Sequence, residues 1–323
     1  MSFFNLSDIV FPNLGLTIHN LPVGIDVFGF KIAFYGITIG IAMLVGYFVA
    51  ERQAKKYGQS VDNLMDFALV VIIAAVVGAR AYYVIFHWDS FKDDLLSIFN
   101  LRTGGLAIYG GVIVAIITAI VFCRVKKIKF GGFADICIPG LLIGQVIGRW
   151  ANFFNREAFG GYTDNLFAMR MDLNEVSYEY RLSESALRQL FADKPAALER
   201  ILDQIRHNVT IDGVTYVQTH PTFLYESLWN LGVFIFVLIY AKRKKFDGEI
   251  LCWYAVLYGI GRFWIEGLRT DQLFLWNSAI PVSQAVAVVM VVAGLAIIVV
   301  NHVKCRKNRK VSKKVKTSKV NKA

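Results

Sequence analysis

The chain has 323 residues, 56% of them hydrophobic and only 18% charged, with a formal net charge of +11. The apolar residues fall in long runs free of charge rather than being dispersed as in a soluble core, which excludes an ordinary soluble globular protein. The positive balance does not imply nucleic acid: ten Lys and Arg lie between Lys304 and Lys322 with no acid among them, a basic tail beside an apolar run that anionic headgroups attract.

Residues 1–30 do not read as a removable signal peptide, because no Lys or Arg precedes the apolar stretch and Pro12 and Gly15 interrupt it. They read as an interfacial segment leading into a first span. Apolar runs then predict seven transmembrane helices at 33–50, 66–86, 104–123, 133–150, 222–241, 249–267 and 280–301, each near the about 20 residues needed to cross a bilayer. The fold class is therefore all-α and polytopic, one transmembrane domain over 1–323.

Orientation follows from the short loops. Arg52, Lys55 and Lys56 follow the first span, Arg124 to Lys129 the third and Lys242 to Lys245 the fifth, whereas Lys92 is balanced by Asp89, Asp93 and Asp94. The positive-inside rule sets the N-terminus outside and the C-terminus inside. Residues 151–221 then form an extracytoplasmic loop or head, and 302–323 a basic, disordered cytoplasmic tail. Within the head, 183–207 has apolar residues at helical spacing, with Ser183 as a cap and Pro195 dividing two short helices.

Charged residues inside spans are costly and mark function by default. Tyr258, Arg262, Glu266 and Arg269 recur at intervals of 4, 4 and 3 along the sixth span, which puts them on one helix face. An i, i+4 pair steadying a helix end explains Arg262 and Glu266 but leaves Tyr258 and Arg269 unexplained; the wall of a polar cavity explains all four. The fourth span ends in GRWANFFNREAFGG at 148–161, with Arg149, Asn152 and Asn155 at every third position and Glu157 at the exit. Both arginine-bearing spans run outwards, so Arg149 and Arg262 lie at one outer level. Forked, permanently charged guanidinium donors suit a phosphate group.

The third span opens with GGLAIYGG at 104–111, where glycines around Tyr109 allow either close helix approach or irregular backbone beside a cavity. Arg80 in Gly78-Ala79-Arg80 is equally open to a functional or a structural role. His220-Pro221 and Tyr225-Glu226 open the fifth span, and a helix start explains the first pair. Four cysteines (Cys123, Cys137, Cys252, Cys305) lie in or beside spans without CxxC spacing, and the five histidines are scattered. Neither a metal site nor a cofactor is expected.

Together these segments resemble the bacterial prolipoprotein diacylglyceryl transferases. The resemblance runs through Tyr35-Gly36, Gly78-Ala79-Arg80, Gly104 to Gly111, the 148–161 segment, HPTFLYE at 220–226 and YGIGRFWIEGLR at 258–269. It implies a seven-span enzyme of the bacterial cell membrane, active at its extracytoplasmic face. Such an enzyme moves the diacylglyceryl group of phosphatidylglycerol to the lipobox cysteine of prolipoprotein signal peptides, forming a thioether and releasing glycerol phosphate. It implies catalytic roles for Arg149 and Arg262, with Tyr35, Asn152, Glu157, Tyr258, Glu266 and Arg269 matching other positions the family uses. Glu266 and Glu157 are expected to orient the arginines rather than act as bases, though either could do both, and Glu266 and Tyr109 join the two arginines as catalytic candidates. Many members carry His where this chain has Tyr109; a phenol of ordinary pKa about 10 is a poor base at neutral pH. A transporter using the same arginine cavity is the rival reading, against which the chain has no internal repeat.

Overall fold

The computed structural model describes residues 7–100, 104–192, 195–274 and 280–320, with side chains in the last segment as far as Lys307. The chain divides into two compact units. One comprises residues up to Gly46, Leu141–Lys245 and the chain from Ile250 onwards; the other comprises Tyr47–Gly140 with Phe246–Glu249.

Long helices form at each predicted span: α1 (Phe34–Lys56), α2 (Val61–Phe86), α3 (Ile108–Val125), α4 (Phe130–Asn155), and, after the short α5 (Glu184–Leu190) and α6 (Pro195–Arg206), α7 (Thr222–Tyr240), α8 (Glu249–Leu268) and α9 (Val282–Val320). Among the described residues, six helices are long and apolar enough to cross a membrane: α1 to α4, α7 and α9. The chain is thus a multi-pass membrane protein. Helix α8 is not one of the six; Arg262 and Glu266 interrupt its apolar run. Helix α9 continues to Val320 where composition predicts an irregular tail; the segment from 302 to 320 has neither Gly nor Pro to stop a helix. The tail side chains beyond Lys307, and residues 321–323, lie outside the described residues.

An all-α chain is not what forms. Strands β1 (Ser7–Phe11) and β2 (Leu16–Leu21) precede a hairpin of β3 (Gly24–Val27) and β4 (Phe30–Ala33), and the 151–221 segment adds β5 (Met169–Asp172), β6 (Val209–Ile211) and β7 (Val214–Thr219). Five of these make one antiparallel sheet in the order β2-β1-β5-β7-β6. The N-terminal residues therefore complete the head instead of merely leading into a span. Its core gathers Ile9 and Phe11 from β1, Met169 and Met171 from β5, and Leu198, Ile201 and Leu202 from α6. Phe153 at the end of α4 and Phe223 at the start of α7 join the same core, so the head is welded to those two helix ends. Within it Arg156 and Glu175 form a buried ion pair at 3.0 Å, and Arg156 Nη2 also donates to the Leu21 carbonyl at 2.6 Å. As predicted, Ser183 caps α5, its hydroxyl accepting from the Ala186 amide, and Pro195 opens α6.

In the second unit α2 and α3 pack backbone to backbone. A Cβ on Gly78 would press on Val114 and on the Gly110 carbonyl, and one on Gly110 would strike Tyr82 and the Gly78 carbonyl. Close approach therefore accounts for Gly110. Arg80 is buried and donates through Nε to Ile98, through Nη1 to Gly104 and Gly105, and through Nη2 to Ser97 and Asn100, all carbonyls. Gly104 and Gly105, with φ of 82° and 74°, turn their carbonyls towards it. All five guanidinium N–H donors are used, so Arg80 clamps the α2–α3 connection, which decides the open question in favour of structure.

Candidate active site

Three helices of the first unit bring their charged residues together at the end that joins the head. Arg149 lies near the end of α4, Glu226 one turn into α7, and Arg262 and Glu266 near the end of α8. Glu226 Oε2 pairs with Arg149 Nε, and Glu226 Oε1 accepts from Arg262 Nη1 at 2.6 Å. Arg262 Nη2 pairs in turn with Glu266 Oε2 at 2.6 Å. Arg269 Nε lies 3.9 Å from the same Glu266 oxygen, while Arg269 forms a two-pronged pair with Asp271 at 2.9 and 2.7 Å. Arg262, Glu266 and Arg269 of the stripe expected on the sixth span thus share one connected network, which, among the described residues, Tyr258 does not join.

The two carboxylates are almost fully buried, and the side chains of Arg149 and Arg262 remain 22% and 17% exposed. Leaving aside the Arg269–Asp271 pair, two guanidinium groups face two carboxylates, so the centre is charge-balanced. Charge balance is what lets such groups persist in an apolar setting. Tyr258 and Arg262 line a small cavity with Glu226, Trp229 and Asn230. Its volume of about 10 Å³ has room for about one water. A Cβ on Gly261 would run into the Trp229 indole, so glycine there lets α7 and α8 close on each other. Trp229 Nε1 donates to the Leu257 carbonyl at 2.9 Å. Tyr258 stacks on Tyr254 at 5.2 Å between ring centroids, and the Tyr254 hydroxyl accepts from Gln145 of α4 at 2.9 Å.

The other expected residues divide. Tyr35, second in α1, lies close enough to Glu157 and Arg149 to feel both charges. Asn152 Nδ2 donates to Glu157 Oε1 at 3.0 Å. Glu157 is exposed and forms no ion pair with an arginine among the described residues, so it does not orient Arg149 as expected. Position in the chain explains this: it follows the end of α4 and turns back onto its own helix. Glu226, for which the sequence reading of Tyr225-Glu226 assigns no role, is the acid that pairs with both Arg149 and Arg262. The signal was present, since an acid inside an apolar span is itself a default mark of function. Tyr109 stands in the first turn of α3, in the second unit.

A family model for prolipoprotein diacylglyceryl transferase matches residues 22–300, which takes in α1 to α8 and the cluster. The chain belongs to the prolipoprotein diacylglyceryl transferase family. Relatives named phosphatidylglycerol–prolipoprotein diacylglyceryl transferase include one from Finegoldia magna, 40% identical over 84% of this chain and 92% of its own length. One from Clostridioides difficile is 35% identical over 84% and 92%, and one from Listeria welshimeri 37% over 88% and 90%. Membership of this transferase family gives the arginine network a chemical context: an enzyme of lipoprotein biosynthesis working among apolar helices.

Proposed function

We propose that this chain transfers the diacylglyceryl group of phosphatidylglycerol to a prolipoprotein cysteine, the first step of lipoprotein maturation. The observation that carries the reading is the gathering of Arg149 and Arg262, from separate helices, on the single carboxylate of Glu226. In the reaction the cysteine sulfur forms a bond to the terminal glycerol carbon of the diacylglyceryl group. The bond from that carbon to phosphate oxygen breaks and its electron pair leaves with glycerol phosphate, while the thiol proton is released. A phosphodiester with one negative charge becomes a monoester with two. The second charge develops only as the bond breaks, so guanidinium donors already in position favour the transition state over the bound lipid. The same positive field favours thiolate over thiol.

Arg149 and Arg262 are the catalytic residues in this reading. Glu226 and Glu266 position them, and a phosphate reaching the arginines must displace part of the grip of Glu226. Tyr35, Asn152, Glu157, Tyr258 and Arg269 bound the lipid headgroup, and Tyr109 is the candidate for handling a proton. Helix α8 is the sixth of seven spans, with the N-terminus outside and the basic end of α9 inside the bacterial cell membrane. The cluster and the 151–221 head then face the extracytoplasmic side, consistent with the basic loops after the first, third and fifth spans. The decisive experiment is phosphatidylglycerol-dependent lipidation of a lipobox peptide by purified protein. Loss of turnover in Arg149→Ala and Arg262→Ala is expected, and wild-type turnover in both would refute the assignment. An unaffected Tyr109→Phe variant would remove Tyr109 from proton transfer.

A further inference from the structure

A second cavity, of about 220 Å³, opens where the head meets the end of α8. Gly161, His220, Gly267 and Leu268 line it together with Arg200 and Asp203 of α6. Gly160 and Gly161 pair with the surrounding backbone: Gly160 N–H donates to the His220 carbonyl, Gly161 N–H to the Leu268 carbonyl, and His220 N–H to the Gly161 carbonyl. The two glycines nevertheless differ. A Cβ on Gly160 would lie 2.7 Å from His220 Cβ and 2.9 Å from the Leu268 oxygen, so packing requires glycine. Gly161 has no positive φ, and a Cβ there would meet nothing within 4 Å. Neither conformation nor packing explains the missing side chain; it leaves the cavity open.

The polar groups around this space are of both kinds. Arg200 uses Nη1 on the Gly267 and Arg269 carbonyls at 3.2 and 2.8 Å, and its Nε and Nη2 have no partner among the described residues. The Asp203 side chain is 60% exposed. A phosphate would meet the Asp203 carboxylate as a like charge, whereas a polypeptide backbone offers a carbonyl to the guanidinium and an amide to the carboxylate. The cavity also stands at the right distance from the cluster. Arg262 and Gly267 lie five residues apart on α8, a rise of about 7.5 Å, which two or three residues of extended chain span at about 3.3 Å each.

We infer that this cavity binds the extended polypeptide that follows the acceptor cysteine of the substrate. The inference rests on the reading of the acceptor as a prolipoprotein cysteine. Side chains Arg200 and Asp203 hold the backbone of the segment, and Gly161 makes room for it. The site thereby anchors the polypeptide that presents its cysteine to the arginines.

Two acceptor peptides test this with purified protein in phosphatidylglycerol vesicles, one ending at the acceptor cysteine as an amide and one continuing for four residues. For wild type the longer peptide is expected to have the lower KM. Gly161→Phe, which fills the cavity, and Asp203→Lys, on an exposed helix face, are each expected to raise its KM about tenfold. Both should leave kcat and the KM of the shorter peptide unchanged. An unmoved KM for the longer peptide in both variants, or equal changes for both peptides, overturns the subsite while the transferase reading stands. If wild type lipidates neither peptide, the transferase reading itself fails and the subsite with it.

Discussion

Glu226 Oε1 accepts a hydrogen bond from Arg262 Nη1 at 2.6 Å while the second oxygen of the same carboxylate pairs with Nε of Arg149. One acid on α7 thus sets the separation of two cations carried by α4 and α8. Removing its charge leaves two largely buried guanidinium groups facing each other. Glu226→Gln, which keeps the shape, is expected to lose stability by about 3 kcal/mol, seen as a lower unfolding temperature in detergent. Turnover should fall at least about tenfold in a lipidation assay, and unchanged values of both would remove Glu226 from the positioning role.

Geometry as well as charge matters at the arginines. A lysine in place of Arg262 supplies one compact cation without the fork that reaches Glu226 and Glu266 together. Arg262→Lys is expected to reduce kcat about a hundredfold, measured with phosphatidylglycerol vesicles at saturating peptide. Near-wild-type kcat would mean that charge alone suffices.

Arg80 makes the opposite prediction. Its five hydrogen bonds all end on carbonyls between Ser97 and Gly105, so Arg80→Lys strands several part-buried acceptors and should cost about 1–3 kcal/mol. The effect belongs in amide exchange and proteolysis of the α2–α3 connection. The KM for phosphatidylglycerol should not move in the protein that remains folded.

Burial pushes the His220 imidazole below its ordinary pKa of 6.5, so the folded protein resists taking a proton that the unfolded chain accepts. The resulting stability is complete above that ordinary value and is lost as pH falls through it towards the folded pKa. His220→Asn should flatten this part of the profile, which thermal unfolding between about pH 7 and 5 would reveal. Parallel profiles for the two proteins would show that other groups control the acid limb.

The adjacent glycines give a steric control. Gly160→Ala forces a methyl against His220 and the Leu268 carbonyl and should cost about 1–3 kcal/mol. Gly161→Ala meets open space and should leave the unfolding temperature within experimental error. A reversal of that order would contradict the packing described.

The sequence by itself determined the helical membrane frame and most of the polar network. A charge in an apolar run is expensive wherever the helix goes, so Arg149, Arg262, Glu266 and Arg269 stand out before any fold is known. Helical spacing alone then aligns Tyr258 with Arg262 and Glu266. Tertiary structure decided what each charge faces. Arg80 and Arg149 have the same local signature, yet one meets five carbonyls and the other a carboxylate from a helix about 75 residues away. The head sheet was equally invisible in sequence, because β1 finds its partner β5 some 160 residues later, and strands of three to six residues carry too little periodicity to announce themselves. Local pattern fixes the cost of a residue and the face it shares; only the packed chain determines the partner that offsets that cost.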